Sequence, residues 1–524
     1  MRRAAVLLAA LALAACRVDV EGAPCGEPGS IDDCPSGQAC GNDLRCSERA
    51  TQCRDAALRC TPLVDKRCSA DAAVKETCTR IDPCQGWEFV ADDGDDCAAA
   101  DLACGTRSPG GVVACECPPG FTGPGFAADP VEGSPDPGAF PFPTGAARPP
   151  ECRFKRLGDA LSAAGAVAGP AVVRAHGAEG AEIVFGDETS GDAFPLAVPA
   201  NVTVRAAEAP AGATILRAHA PTEANVVVLQ GRIEAFRIES DGATGAGVVT
   251  SCGASGRPSL DAVAVEGGQS LASGIDVGPG TCGADLTDLD VSNVAGPALR
   301  VRADAGAPVA VPSGRFHASS VGIRVTGGKL TVGVEGEPLS KVEVSGNAGE
   351  GIVLTGGMAT VLDVQIHNAT VSDNGGTGIV LDVVGQSSKL TLRGSTGVSN
   401  GVTSPRDYGG ATTRQAGGIL VSQVSLAAFT FLANRVYANG HDQLAFESSG
   451  PWSISPGACG PSSTLFACVD AGAYAVSVAG SGTVDASNTV WPGTPPAAYV
   501  NGNVTASDWC SSQTGVPTPP ATCP

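Results

Sequence analysis

Basic charge is scarce in this 524-residue chain: 33 Lys and Arg stand against 54 Asp and Glu, a net charge of −21. Binding a phosphate backbone needs a basic face, so nucleic acid is not an expected partner. Aromatic residues make up only 4% and methionines number 2, while glycines number 70. Each interior glycine costs a helix about 1 kcal/mol, which argues against long helical bundles. Disorder is excluded in turn, because a hydrophobic share of 43% can bury a large core. Tight Cys-x-x-Cys pairs are missing from the thirteen cysteines between Cys25 and Cys117, against a structural zinc site. The histidines at 176, 219, 317, 367 and 441 show no metal-ligand spacing. No Gly-rich phosphate cradle stands between a strand and a helix. No metal and no cofactor are expected.

What is present starts at the N-terminus. Met1-Arg2-Arg3 precedes an unbroken apolar run from Ala4 to Ala15. That is a secretory signal, too short for a permanent membrane helix. It ends Leu13-Ala14-Ala15-Cys16, which resembles the bacterial lipobox. The resemblance implies that residues 1–15 are removed and that Cys16 takes a diacylglycerol. Arg17 stands where the inner-membrane retention mark would place Asp, which implies an outer-membrane address and a lipid anchor as the membrane contact. The plainer alternative is an ordinary signal with Cys16 in a disulfide. Removing Cys16 from 21 cysteines leaves 20, which can all pair in an oxidising compartment.

Residues 16–24 read as a tether and 25–121 as a Cys-rich region with too few large apolar residues for its own core, so disulfides must hold it. Its end, Cys115-Glu116-Cys117-Pro118-Pro119-Gly120-Phe121, resembles the last hairpin of an EGF-like module. The next cysteine is Cys152, farther on than that module's closing loop allows, which leaves the loop and the module's calcium binding open. Asp92, Asp93, Asp95 and Asp96 around Gly94 read as a solvated turn before they read as a calcium loop. Residues 122–151, rich in Pro and Gly, read as a semi-extended linker.

From 152 to 524 a single domain is expected. Phe154, Leu157, Leu161 and Ala164 recur at helical spacing until Gly169-Pro170, which predicts a helix over 154–165. Short β-branched runs separated by polar turns follow. Six of them start at Ala298, Gly322, Gly351, Gly378, Gly418 and Gln443, a regular step broken only by the longer gap between Gly378 and Gly418. Asn293, Asn347, Asn374, Asn400 and Asn439 precede them, in turns where Asn tolerates the left-handed region and can bond the next coil. A period of roughly 20–30 residues with short strands means a solenoid, here a right-handed parallel β-helix capped by the helix. Leu299, Ile323, Ile352, Ile379, Ile419 and Leu444 would stack inward as one column, with the following residues outward. An antiparallel sandwich is the alternative, but it does not align aliphatic columns at coil spacing. The stretches Phe154-Lys155-Arg156-Leu157, Gly191-Asp192-Ala193-Phe194-Pro195-Leu196 and Val202-Thr203-Val204-Arg205 resemble a pectin-lyase-like domain family of unknown function. That resemblance implies the fold and no activity.

Glycan-cleaving β-helices carry ordered Asp, His and Arg signatures, and none is kept here. The nearest, Arg237-Ile238-Glu239, has the wrong third residue. No catalytic residue is assigned. Arg300 and Arg324 occupy equivalent outward positions, with Asp288 and Asp290 one strand earlier, and these four are the candidate glycan-binding residues. Farther along the same column stand Val353, Val380, Leu420 and Ala445, apolar positions that something must cover. The coil between 378 and 418, or the C-terminal tail, is the expected cover. Disulfides are expected between Cys252 and Cys282, Cys459 and Cys468, and Cys510 and Cys523. Anchor, spacer and solenoid together suggest a non-enzymatic surface lipoprotein for display, adhesion or envelope structure, with a glycan or surface protein as partner. A polysaccharide lyase or glycoside hydrolase acting on acidic glycans is the alternative.

Overall fold

A computed structural model of the chain describes residues 156–510 and 523, with 167, 176–182, 187–190, 207–213, 220–224, 241, 253–255, 280–281, 303–306, 338–340, 357–360, 384–387, 410–412, 423–427, 494–495 and 508 excepted. Before 156 it describes 24, 34, 38–40, 45–47 and the strands at 66–68, 74–82, 86–96, 103–105, 114–116, 125–128 and 152–154. The chain divides into two compact units, 1–126 with 141–152 and 127–140 with 153–524. Cys16 and the signal segment lie outside the described residues.

In the first unit, Cys34 and Cys46 form a disulfide beside a two-residue antiparallel pair, Ala39–Cys40 with Cys46–Ser47. Val74–Asp82 and Gly86–Asp96 form an antiparallel hairpin. Its second strand holds the four aspartates around Gly94, so a strand replaces the expected turn. Ala103–Gly105 pairs antiparallel with Ala114–Glu116, setting Cys104 opposite Cys115.

The second unit is a parallel β-solenoid with three strands per coil. Ala171–Ala175, Ile183–Gly186 and Leu196–Val198 are the three strands of one coil, and the coils that follow stack parallel strands on them in register. The second sheet runs through eleven strands in sequence order, to Leu465–Ala467. In the third sheet Leu299 pairs with Ile323, Ile323 with Ile352, Ile352 with Ile379, Ile379 with Ile419, and Ile419 with Leu444. The expected column is therefore present. It extends back through Ile275, Val248 and Val227 to Leu196, and on to Val476. All of its members are buried. Burying an aliphatic side chain contributes about 1.5–3 kcal/mol, so the column is a main part of the fold's cohesion.

The cap is a helix, Leu157–Gly165, shorter than the expected span because Cys152–Phe154 is a strand. It buries Leu157, Ala160, Leu161 and Ala164. With Leu196, Phe236 and Ile238, the two leucines line an apolar void of about 10 Å³, too small to matter as a site. The segment expected as pure linker also contributes structure: Gly125–Ala128 is a strand, and Ala127 and Ala128 are buried within the solenoid unit.

Two of the three expected solenoid disulfides are wrong. Cys252–Cys282 forms, across one coil. At the C-terminus Cys459 pairs with Cys510 and Cys468 with Cys523, in place of Cys459–Cys468 and Cys510–Cys523. Nearness in sequence misled here. Cys459, Cys468 and Cys510 meet around Leu465, Ala467 and Val490, where coils stack, so cysteines far apart in sequence become neighbours.

Candidate functional site

The turn entering the third sheet is built by asparagines. Asn374 Nδ2 donates to Asn400 Oδ1 at 2.8 Å and Asn347 Nδ2 donates to Asn374 Oδ1 at 2.8 Å. Asn400 Nδ2 continues to Asn439 Oδ1 at 3.0 Å, and Asn439 Nδ2 to Gln443 Oε1 at 2.5 Å. Each asparagine oxygen also accepts a backbone N–H from the preceding coil: Asn347, Asn374 and Asn400 donate to Asn374, Asn400 and Asn439. All four ladder asparagines are buried. The left-handed residue is the one before: Gly346, Asp373, Ser399 and Ala438 have φ of 62°, 55°, 53° and 53°. Among the five expected turn asparagines, only Asn293 is itself left-handed, at φ 56°. Its ladder neighbour is Val294, whose N–H reaches Ser319 Oγ at 3.2 Å. The glycines that open the strands follow from this ladder. A Cβ on Gly378 would sit 2.9 Å from Asn400 Nδ2 and 2.8 Å from the Gly418 carbonyl oxygen.

On the outer side of the third sheet, Asp276, Arg300 and Arg324 align in register. Arg302 grips Asp276 through two bonds, Nε at 3.1 Å and Nη2 at 2.7 Å. Arg300 Nη1 approaches the same carboxylate only to 3.9 Å. Arg324 makes no ion pair or hydrogen bond among the described residues, and its Nε is buried without a partner. Asp288 and Asp290 are not the carboxylates of this cluster. Asp288, left-handed at φ 49°, accepts a bond from Ser313 Oγ at 2.5 Å. Asp290 lies on the second sheet and meets His317 Nε2 at 2.8 Å. Asp276 takes their place. Its motif, Gly274-Ile275-Asp276-Val277, begins one repeat step before the run at Ala298, so extending the repeat once upstream would have found it.

Several arginines of other coils are paired with carboxylates. Arg217 and Arg237 both hold Glu239, the former at 2.6 Å. Burial alone would raise the Glu239 carboxyl, but the hydrogen bonds from the two guanidiniums outweigh it and hold it below the ordinary carboxylate value.

Beyond Arg324 the column turns apolar and is covered. Val353, Val380, Leu420 and Ala445 are all at most 2% exposed. Over Leu420 and Ala445 the cover comes from the long coil between 378 and 418, as expected, while Val353 and Val380 pack with Val321. Arg406–Tyr408 pairs antiparallel with the start of Arg414–Ser422, and Tyr408 packs on Ala416, Leu420 and Ala445. We call residues 401–416 the strap. Asp442, 1% exposed, anchors it. Its carboxylate accepts the Tyr408 hydroxyl, a two-pronged Arg414 fork at 2.9 Å each, and the Tyr474 N–H at 2.7 Å. Arg414 also stacks over the Tyr474 ring at 4.5 Å. Arg406 Nε donates to Glu350 Oε1 at 2.6 Å. Burial, together with the bond to Asp442, pushes the Tyr408 phenol far above its ordinary range, so it stays protonated and is no base near neutral pH. The hydrogen bonds to Asp442 raise Arg414 in the same way and keep it charged.

Beside the strap lies a polar pocket of about 460 Å³, walled by the strap strand, the turn at 440–442 and the turn at 470–473. Among the described residues no group of three or more His, Cys, Asp or Glu side chains is placed to hold a metal ion. No described helix is long and apolar enough to cross a membrane.

No protein-family model and no curated protein matches the sequence. Among solved structures, the A-module of the mannuronan C-5 epimerase AlgE6 from Azotobacter vinelandii is similar, with 14% identity over 68% of this chain and 94% of that one and a TM-score of 0.27.

Proposed function

We propose that this chain is an outer-membrane surface lipoprotein. In this reading it is held by a lipid on Cys16 and spaced by a Cys-rich, EGF-like region, and its solenoid is a non-enzymatic display module. The working face is the outer side of the third sheet around Arg300 and Arg324, and the ligand is an acidic glycan. The observation that carries the reading is Arg324. A guanidinium with a buried, unpartnered Nε and no carboxylate partner stands on a chain of net charge −21, while Arg217 and Arg302 are neutralised by carboxylates of neighbouring coils. Arginine presents a fixed fork of donors matched to carboxylates, and Arg300 sets a second one a coil away. Stacked coils hold such groups rigidly, and weak contacts add by multivalency when several chains are anchored on one surface.

The direct test is an array of acidic and neutral glycans probed with the full mature chain, followed by product analysis of every glycan that binds. Binding to acidic glycans without cleavage supports display. Unsaturated or newly reducing ends would replace it with the lyase or hydrolase reading. Mass spectrometry of the membrane fraction tests the anchor: an acylated N-terminal Cys16 is expected, and a mature chain starting elsewhere removes that part of the proposal.

A further inference from the structure

The polar pocket beside the strap has a charge balance opposite to that of the arginine face. Asp442 and Arg414 cancel each other. All four acceptor positions of the Asp442 carboxylate are filled by Tyr408, Arg414 and the Tyr474 N–H, so it has none left for a ligand. Arg414 gives its remaining Nη2 reach to the Gly472 carbonyl at 3.2 Å. Besides Arg414 Nη1, the charged groups of the lining with atoms to spare are acidic. Asp470 is exposed and makes no side-chain bond among the described residues. Asp407 accepts one bond, from Gln415 Nε2 at 3.1 Å, and keeps its other oxygen. Gln415 and His441 add hydrogen-bonding groups on the same lining.

A volume of about 460 Å³ falls within the usual size of small-molecule sites. The lining is too polar for an apolar ligand. Its two uncompensated carboxylates repel uronates, and they attract a ligand carrying ammonium groups. The Gln415 amide and the other hydrogen-bonding groups of the lining suit hydroxyl groups. We propose that this pocket binds an amine-bearing saccharide, a run of hexosamine units with free amino groups, each ammonium facing one of Asp407 and Asp470. The site does not share residues with the arginine face, so either proposal can fail alone.

The test is calorimetry on the full mature chain with a glucosamine tetramer as probe. N-acetylglucosamine tetramer, tetragalacturonate and spermidine are the comparison ligands. The glucosamine tetramer is expected to bind. Asp407→Asn with Asp470→Asn should weaken it at least tenfold, and Arg300→Ala with Arg324→Ala should leave it unchanged. Asp470→Asn alone removes no side-chain bond among the described residues and should give part of the loss. Acetylation should weaken the ligand at least tenfold, since it removes the charge. The proposal is overturned if the glucosamine tetramer does not bind, if the acetylated tetramer or tetragalacturonate binds as well, or if the aspartate variants bind unchanged. Spermidine binding as tightly as the tetramer would also overturn it, because the hydroxyl groups would then contribute nothing.

Discussion

The two halves of the solenoid solve the same packing problem differently. Both stack the same inward column, from Leu196 to Val476, and the coils differ only in what secures the turn and what stands outside. In the C-terminal half, buried asparagines bond coil to coil from Asn347 to Asn439, and Leu420 and Ala445 of the outward apolar column lie under the strap. In the N-terminal half the ladder positions are Val294 and Ser319, and outward arginines meet carboxylates such as Asp276 and Glu239. Where the ladder holds the turn, the outer face is covered by the chain itself. Where Val294 and Ser319 hold the ladder positions, the outer face of the third sheet carries Asp276, Arg300 and Arg324 in place of apolar residues.

The largest expected effect is one the halves share. Replacing both Cys459 and Cys510 by Ser opens a loop of 51 residues and should cost about 4 kcal/mol. The Cys252–Cys282 pair closes 30 residues and should cost only about 0.5 kcal/mol less, since loop entropy grows with the logarithm of length. Denaturant unfolding of the two double variants checks both values. A large gap between them would mean that the coils around the two bridges differ in more than loop length.

The ladder should separate the halves more sharply. Asn374→Ala strands buried partners in two neighbouring coils and should cost about 3 kcal/mol. Ser319→Ala, at the matching turn, should cost about 1 kcal/mol. Thermal midpoints of the two variants decide it, and equal shifts would break the comparison.

The outer faces come next. Tyr408→Phe leaves buried Asp442 without one donor and should cost about 1.5 kcal/mol, read as faster protease cleavage within 401–416. Arg300→Ala with Arg324→Ala should cost under about 0.5 kcal/mol, because half-exposed groups without close partners contribute little.

The smallest effect is the response to acid. Burial holds the His367 imidazole below its ordinary 6.5, and nearby Arg393 adds to this, outweighing Glu335. A lowered value means that stability is present above 6.5 and is lost as pH falls below it, when the buried ring must charge. Glu239 is lowered too, but from 4.5, so its contribution survives to pH 4.5 and is lost below. Hydrogen exchange at pH 5.5 should therefore show loosening around the first-sheet strand Leu362–His367 before the strand Phe236–Ser240. The reverse order would contradict the assignment.

Much of this is legible in the order of the residues alone. The Gly-Ile repeat carries the column, its glycines and its period, because inward aliphatics and close-packed turns leave a direct mark on residue type. The cover over Leu420 and Ala445 was legible for the same reason: an outward apolar run needs a neighbour. Asp276 was also within reach, one repeat upstream. The C-terminal disulfides were not, since pairing across stacked coils depends on where the chain goes between the cysteines. Nor was the Tyr408–Arg414–Asp442 anchor, whose members share no motif and meet only because the strap folds back antiparallel.

The claim that the open arginine face is where this molecule works is tested most directly by one binding measurement. The full mature chain is passed over an immobilised acidic oligouronate, and its binding is compared with that of Arg300→Ala with Arg324→Ala. Arg393→Ala, whose guanidinium is paired with Glu335 at 2.6 Å, serves as the control. At least tenfold weaker binding by the double variant, an unchanged control and an intact oligouronate are expected. Equal binding by the double variant, or cleavage of the oligouronate by the unaltered chain, would contradict the account.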